Sequence, residues 1–591
     1  MKNFWNAFFG TLLAITVFIV LSFFILIGLV TTLATIAEKP IKVKDNSVLM
    51  IKLDRRIVER KSENFLENIE FPGITSRSAI GLNQILRSIG KAKNDSRIRG
   101  IYLNLSEIKA GYATVEEIRY ALKDFKESGK FIYSYSDAIS QKAYYLASTA
   151  DSLILNPHGI FDFRGLNAQR TFYKRAMEKF GIEMQIFRGK NNNFKAAVEP
   201  FMYEEMSREN REQTEVYLGS IWNHVLENIS IERNIPVSKL NYYANIVLTF
   251  RKADLAKKYG FFNNLKYNDE VIRDLQMLTG TSFNEEIRTI TISKYDKVSL
   301  NDGKSNTSDK IAVIYAEGDI DMGPEAHYSI TSKEMSKAIR QARIDENTKA
   351  IVLRINSPGG SAFGSEVIWR EVMLAAKEKP LIVSFGDYAA SGGYYIACGA
   401  ETIIANPTTI TGSIGIFGMI PNVGELLNDK IGITFDNVKT NSHSDVPAIH
   451  RKMTPFEKNL IQKYVEDGYE LFISRVAEGR KTSTAAIDKV GQGRVWSGIN
   501  GKENGLVDDL GGISKAIKLA AREADIIDYN IEELPKEKFP LEQFFKDLAN
   551  ESQSRILRNK LGDTYQYWEN LSENSRYNGI YARMPYSLEV N

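Results

Sequence analysis

Short, wholly apolar runs alternate with helix-period stretches along most of this chain. In the second half, Ile351–Ile355, Leu381–Phe385 and Thr402–Ala405 are rich in β-branched and aromatic residues, and Ser365–Ala376 between the first two carries apolar residues at helical spacing. Strands with no polar face are buried on both sides. The alternation therefore predicts βαβ units around a mostly parallel sheet, an α/β fold.

The pattern is written twice, at an offset of 250 positions. Ile101–Leu105 aligns with Ile351–Ile355, Phe131–Asp137 with Leu381–Asp387, Ala143–Ala147 with Gly393–Ala397, and Asn156-Pro157 with Asn406-Pro407. A constant, gapless offset is the signature of an internal repeat. It predicts two tandem, duplicated α/β domains, residues 45–298 and 310–591, the second ending in a helical tail. The tail from Phe539 onward reads as a helix followed by an extended end that packs on the body or on a neighbouring subunit. The polar stretch 299–309 is the expected linker.

Residues 1–40 are different. From Asn3 to Ala37 there is no charged residue, and Leu, Ile, Val and Phe dominate. That run exceeds the roughly 20 residues that span a bilayer and the apolar core of about 7–15 residues in a cleavable signal peptide. It predicts one uncleaved transmembrane anchor. Lys2 on one side against Lys39, Lys42 and Lys44 on the other would, by charge alone, put the amino terminus outside.

Composition removes several classes of function. With 76 basic and 73 acidic residues the formal net charge is +3, which gives no global footprint for nucleic acid. A single cysteine, Cys398, excludes an intramolecular disulfide framework and reads as a small core residue. The five histidines form no HExxH pair and lie outside any nucleophile motif, so no metal is expected.

Where the two copies disagree, chemistry is the natural reason. The second copy carries Asn356-Ser-Pro-Gly-Gly-Ser361 after a strand, and the first has Ser106-Glu-Ile-Lys-Ala-Gly111 in its place. Paired glycines admit a close substrate and present backbone N–H groups, as an oxyanion hole requires, although Pro-Gly-Gly also makes an ordinary tight turn. The second copy also carries Asp387-Tyr-Ala-Ala-Ser-Gly-Gly-Tyr-Tyr395, where Ser391 replaces Gln141 of the first. Small neighbours leave the Ser391 hydroxyl accessible at a strand-to-helix turn. The competing reading is a helix-capping serine. A serine nucleophile needs a base, and a lysine with a burial-lowered pKa can serve.

These strings, with Thr411-Gly-Ser-Ile-Gly-Ile-Phe-Gly418, resemble the long, duplicated form of the signal peptide peptidase A family, within the Clp protease and crotonase superfamily. The resemblance implies a Clp/crotonase-like fold in both domains and a serine endopeptidase working through an acyl-enzyme. It implies that Lys195, within Phe194-Lys-Ala-Ala-Val-Glu-Pro-Phe201, is the general base for Ser391, and that Ser413 holds the neutral amine; Lys190 is the more exposed competitor. Here Phe194 and Ala196 stand where the family string has Tyr and Ser. The oxyanion hole is expected from Gly360 or Gly359 together with Gly392, the choice between the first two left open. No cofactor is implied. Expected partners are the membrane, cleaved signal peptides and other short apolar peptides, and three further copies in a homotetramer. The implied location is the bacterial inner membrane, with the amino terminus cytoplasmic and the catalytic domains periplasmic. The alternatives are a crotonase-type acyl-CoA enzyme and an inactive membrane scaffold.

Overall fold

The computed structural model describes residues 4–5, 7–18, 20–22, 41–61, 79–299, 307–322, 329–536 and 579–584. Residues 7–18 and 20–22 are helical, but most of the predicted anchor, all of the predicted helical tail before residue 579, and linker residues 300–306 lie outside the described residues. Among the described residues no helix is long and apolar enough to cross a membrane.

In the first half, strands β1 (Ser47–Ile51), β2 (Ile98–Asn104), β3 (Phe131–Ile139) and β4 (Ser152–Phe161) alternate with helices α1 (Leu82–Asn94), α2 (Tyr112–Lys126) and α3 (Gln141–Ala147). Together with Asn264–Leu265 and Thr289–Thr291, the strands form one six-stranded sheet in which every pairing is parallel. The apolar runs are strands because their side chains have a covered face on either side. Leu49 and Ile101 join one buried cluster, whereas Val48 and Tyr102 join the cluster on the opposite face. Two further elements of this half, β5 (Glu183–Arg188) and α4 (Arg208–Arg233), lead away from its sheet.

The second half repeats the scheme with β6 (Lys310–Glu317), α5 (Ser332–Ile344), β7 (Thr348–Ser357), β8 (Gly359–Ser361), α6 (Ala362–Glu378), β9 (Leu381–Ala390), α7 (Gly392–Ala397), β10 (Ile410–Gly412) and β11 (Phe417–Asn422). Its main sheet runs Val495–Ser497, β10, β9, β7, β6, Asn530–Leu534. The repeat is visible element by element: α2 precedes β3 as α6 precedes β9, and β3 leads into α3 as β9 leads into α7.

A third sheet ties the halves together. Its order is Ser329–Thr331, Asp319–Asp321, β8, β12 (Gly579–Arg583), β11, β5. Strand β5, from the first half, pairs antiparallel with β11 from Arg188 opposite Phe417 to Glu183 opposite Asn422. This pairing carries the segment that follows β5, including Lys195, into the second half.

Charge is buried where the main sheets meet. Arg354 on β7 is fully buried and is held by Glu59 (2.8 Å) and Glu117 on α2 (2.6 Å), both from the first half. Asp387 on β9 accepts hydrogen bonds from Gly111 N and Thr114 N at the start of α2 and from the Thr114 hydroxyl. It thus caps a helix of the opposite half, and a Cβ at Gly111 would overlap its carboxylate.

Candidate active site

Ser391 occupies the turn between β9 and α7, with φ +55° and ψ −114°. A non-glycine residue there is strained, and such strain persists only where its surroundings enforce it. Its N–H donates to Gly412 O at 2.8 Å, pinning the turn to β10. The residue sits at the cap position of α7, yet its hydroxyl makes no capping bond. By contrast Ser140, which opens the corresponding helix of the first half, does cap through Ala143 N.

The Ser391 hydroxyl instead meets Lys195. Lys195 Nζ lies 2.8 Å from Ser391 Oγ, 2.9 Å from Ser413 O and 3.0 Å from Ser413 Oγ. All three residues are wholly inaccessible to solvent. Burial alone pushes the Lys195 ammonium well below the usual lysine range, because each of these partners is uncharged and none offsets the loss of water. A neutral amine fits this triangle: two N–H groups donate to the two Ser413 oxygens, and the lone pair faces the Ser391 proton. Such a group can take a proton from the serine.

Lys195 is placed by contacts from both halves. Phe194 N donates to Gln492 O, and the Gln213 side chain on α4 donates to Phe194 O while accepting from Val495 N. Gly493, at φ +80°, passes so close that a Cβ would stand 2.5 Å from Lys195 Cβ. The same loop holds Ser413, whose N–H donates to Arg494 O. Gln213 and Gly493 carried no signal in the sequence, since their importance is a matter of what folds next to them.

Beside the serine, the glycines of β8 face the start of α7. The Gly359 N–H donates to Ser357 Oγ at 3.1 Å, so it is engaged within its own turn. Gly360 N lies 3.1 Å from where a Cβ of Gly392 would be, which brings the Gly360 and Gly392 amides to one small space. A Cβ at Gly359, whose φ is +103°, would come within 2.7 Å of Gly392 N. The arrangement can receive a carbonyl oxygen beside the Ser391 hydroxyl.

Other candidates are elsewhere. Lys190 is exposed. His443 is engaged with Glu457, and His450 stacks on Phe435. The Cys398 thiol is buried against Tyr395 O, and burial raises its pKa far above the usual range. The first half has no comparable site at Gln141: its amide oxygen accepts from Arg164 N and Gly165 N, and its amide nitrogen reaches the Tyr112 hydroxyl.

The profile of peptidase family S49 matches this chain twice, over residues 124–282 and 373–527, and that of the Clp protease family matches residues 302–410. Protease 4 of Salmonella typhi is 37% identical over 76% of this chain and 73% of its own length. The chloroplastic serine protease SPPA of Arabidopsis thaliana is 32% identical over 82% of this chain and 70% of its own. A putative signal peptide peptidase SppA of Enterococcus faecium is 34% identical over 33% of this chain and 56% of its own.

Proposed function

The chain belongs to peptidase family S49 and is a serine peptidase with a duplicated, Clp-protease-like α/β fold, and from that premise we propose that Ser391 is its nucleophile and Lys195 its general base. The observation that carries this reading is the 2.8 Å approach of Lys195 Nζ to Ser391 Oγ in a fully buried setting whose other partners are uncharged. Ser391 attacks the scissile carbonyl as its proton passes to Lys195. The Gly360 and Gly392 amides stabilise the oxyanion, and the Lys195 ammonium protonates the leaving amine. Ser413 keeps the amine oriented. Water then releases the acyl group by the reverse path.

For the substrate we infer cleaved signal peptides and other apolar peptides. The apolar run from Asn3 to Ala37 supports this as a membrane anchor holding the site where such peptides collect, and the name of the Enterococcus relative, a putative signal peptide peptidase, points the same way. A bacterial inner-membrane location with periplasmic catalytic halves, and a homotetramer, belong to the same reading.

The test compares full-length protein with its Ser391→Ala and Lys195→Ala variants for hydrolysis of a small apolar peptide ester, with fluorophosphonate labelling in parallel. Both variants should lose turnover by on the order of 10³-fold or more, and Ser391→Ala should also lose labelling. Near-normal turnover by Lys195→Ala would remove Lys195 as the base.

A further inference from the structure

The loop that braces Lys195 is itself held by a tyrosine. Helix α8 (Pro455–Gly479) carries Tyr469, and α9 (Thr484–Val490) leads into the loop. In the loop, Gln492 has φ +56° and Gly493 φ +80°, two successive residues in the left-handed region. For Gln492 that conformation is strained and has to be sustained by contacts around it. Tyr469, only 4% exposed, supplies one: its hydroxyl accepts the Gln492 N–H at 3.1 Å and donates to Asp488 Oδ1 on α9 at 2.5 Å. On the other side of the same residue, Gln492 O accepts from Phe194 N at 3.1 Å. One residue therefore separates the phenol from the backbone next to Lys195. The second oxygen of Asp488 accepts from Asn191 Nδ2 at 3.3 Å, so the carboxylate that seats the phenol also holds the segment that bears the lysine. Burial and the Asp488 hydrogen bond push the Tyr469 pKa up, and the phenol keeps the proton it donates.

The duplication separates architecture from chemistry here. In the first half, Trp222 on α4 donates through its indole N–H to Asn241, on the short helix Val237–Asn245, at 2.9 Å. The partners are 19 positions apart in both pairs, and each pair joins a long helix to the short one after it. A pin between those helices thus belongs to the fold. The change of residue is what differs: an indole nitrogen only donates, whereas a phenol donates and accepts at once. The second half has gained an acceptor, and the N–H of the loop beside Lys195 uses it.

We propose that Tyr469, seated by Asp488, is a positioning residue for Lys195. Its oxygen fixes the strained turn at Gln492, and Gln492 fixes the backbone from which the base reaches Ser391. The proposal rests on the roles assigned above to Lys195 and Ser391.

Tyr469→Phe tests it, since the ring stays and the oxygen goes. For the apolar peptide ester, kcat should fall by on the order of 10-fold while KM stays within about twofold, because a displaced base slows the chemical step and not binding. The rise of kcat/KM with pH should also move to higher pH, as a loosened Lys195 regains contact with water. Trp222→Phe, which breaks the matching bond in the other half, should lower Tm and leave both kcat and the pH profile in place. Asp488→Ala should act in the same direction as Tyr469→Phe, and Asp488→Asn, which still accepts from the phenol, should recover most of that loss. Wild-type kcat and pH profile in Tyr469→Phe would overturn the proposal. So would an equal loss of kcat in Trp222→Phe, or a loss in Tyr469→Phe with an unmoved pH profile, since either is what a merely structural pin would give. If Tyr469→Phe does not fold, wild-type turnover by Asp488→Ala overturns it instead. An active Lys195→Ala variant overturns the base assignment and this role together, which no result at Tyr469 alone would do.

Discussion

A lysine in water keeps its proton until well above neutral pH, and Lys195 can act as a base only because it has no water. The sign of its effect on rate follows from the direction of the shift. Below its lowered pKa, Lys195 is an ammonium and cannot accept the Ser391 proton; above it, the amine is ready. The value of kcat/KM should therefore rise with pH and reach its plateau well below the ordinary lysine pKa of 10.5, and a profile of the peptide-ester reaction from pH 5 to 10 checks this. A rate still climbing in proportion to hydroxide at pH 10 would mean that Lys195 titrates as it would in solvent. At this scale the sequence was partly informative. Ser391, Gly359 and Gly360 could be singled out because Gln141, Lys109 and Ala110 stand in their places in the other copy. Lys195 entered through resemblance, since the repeat has loosened where Asp445 stands opposite it and what distinguishes it from Lys190 is enclosure, which no run of neighbouring residues records.

At the scale of elements, the alternation of apolar runs and helical stretches was enough to indicate the two main sheets. The run Leu381–Phe385 begins β9, and Ser365–Ala376 lies within α6. The third sheet was not legible, because its strands come from residues 183–188, 319–321, 329–331, 359–361, 417–422 and 579–583 and no local pattern pairs them. The extended end expected at the carboxyl terminus is β12, packed on the body. The loop through Gly493 shows the same limit: it is short, polar and unremarkable in sequence, yet it braces Lys195 on one side and Ser413 on the other. Gly493→Ala adds a Cβ where Lys195 Cβ already is, at a φ that L-residues avoid. The expected result is a folded protein, with an unchanged far-ultraviolet circular dichroism spectrum, whose kcat/KM falls by on the order of 10²-fold, as displacement of a reacting group by about 1 Å commonly produces. Fluorophosphonate labelling of Ser391 should slow in parallel. Unaltered turnover would show that the loop gives way and that Lys195 is held by Gln213 and Ser413 alone.

For the whole molecule, the meeting of Lys195 with Ser391 depends on how the two halves dock, and the docking surface is unusually charged for a buried one. Arg354 stands against both Glu59 and Glu117, Glu59 also accepts from Asn356, and Glu117 from Asn406 and Ile513 N. Such a cluster adds little over apolar packing, but removing one member strands the rest. Arg354→Met leaves two carboxylates without their cation. It should lower stability by about 3–5 kcal/mol, read as a fall in Tm, with peptide hydrolysis lost together with the tertiary signal. Adding Glu59→Gln and Glu117→Gln to Arg354→Met removes the stranded charges and should recover a large part of that Tm, since neutral amides of similar shape retain their hydrogen bonds to Asn356 and Asn406. Recovery of Tm without recovery of turnover would separate two roles for the cluster. It would mean that stability needs only neutral, hydrogen-bonded partners at this surface, whereas holding the halves at the spacing that keeps Lys195 Nζ 2.8 Å from Ser391 Oγ needs the rigid fork of Arg354 itself.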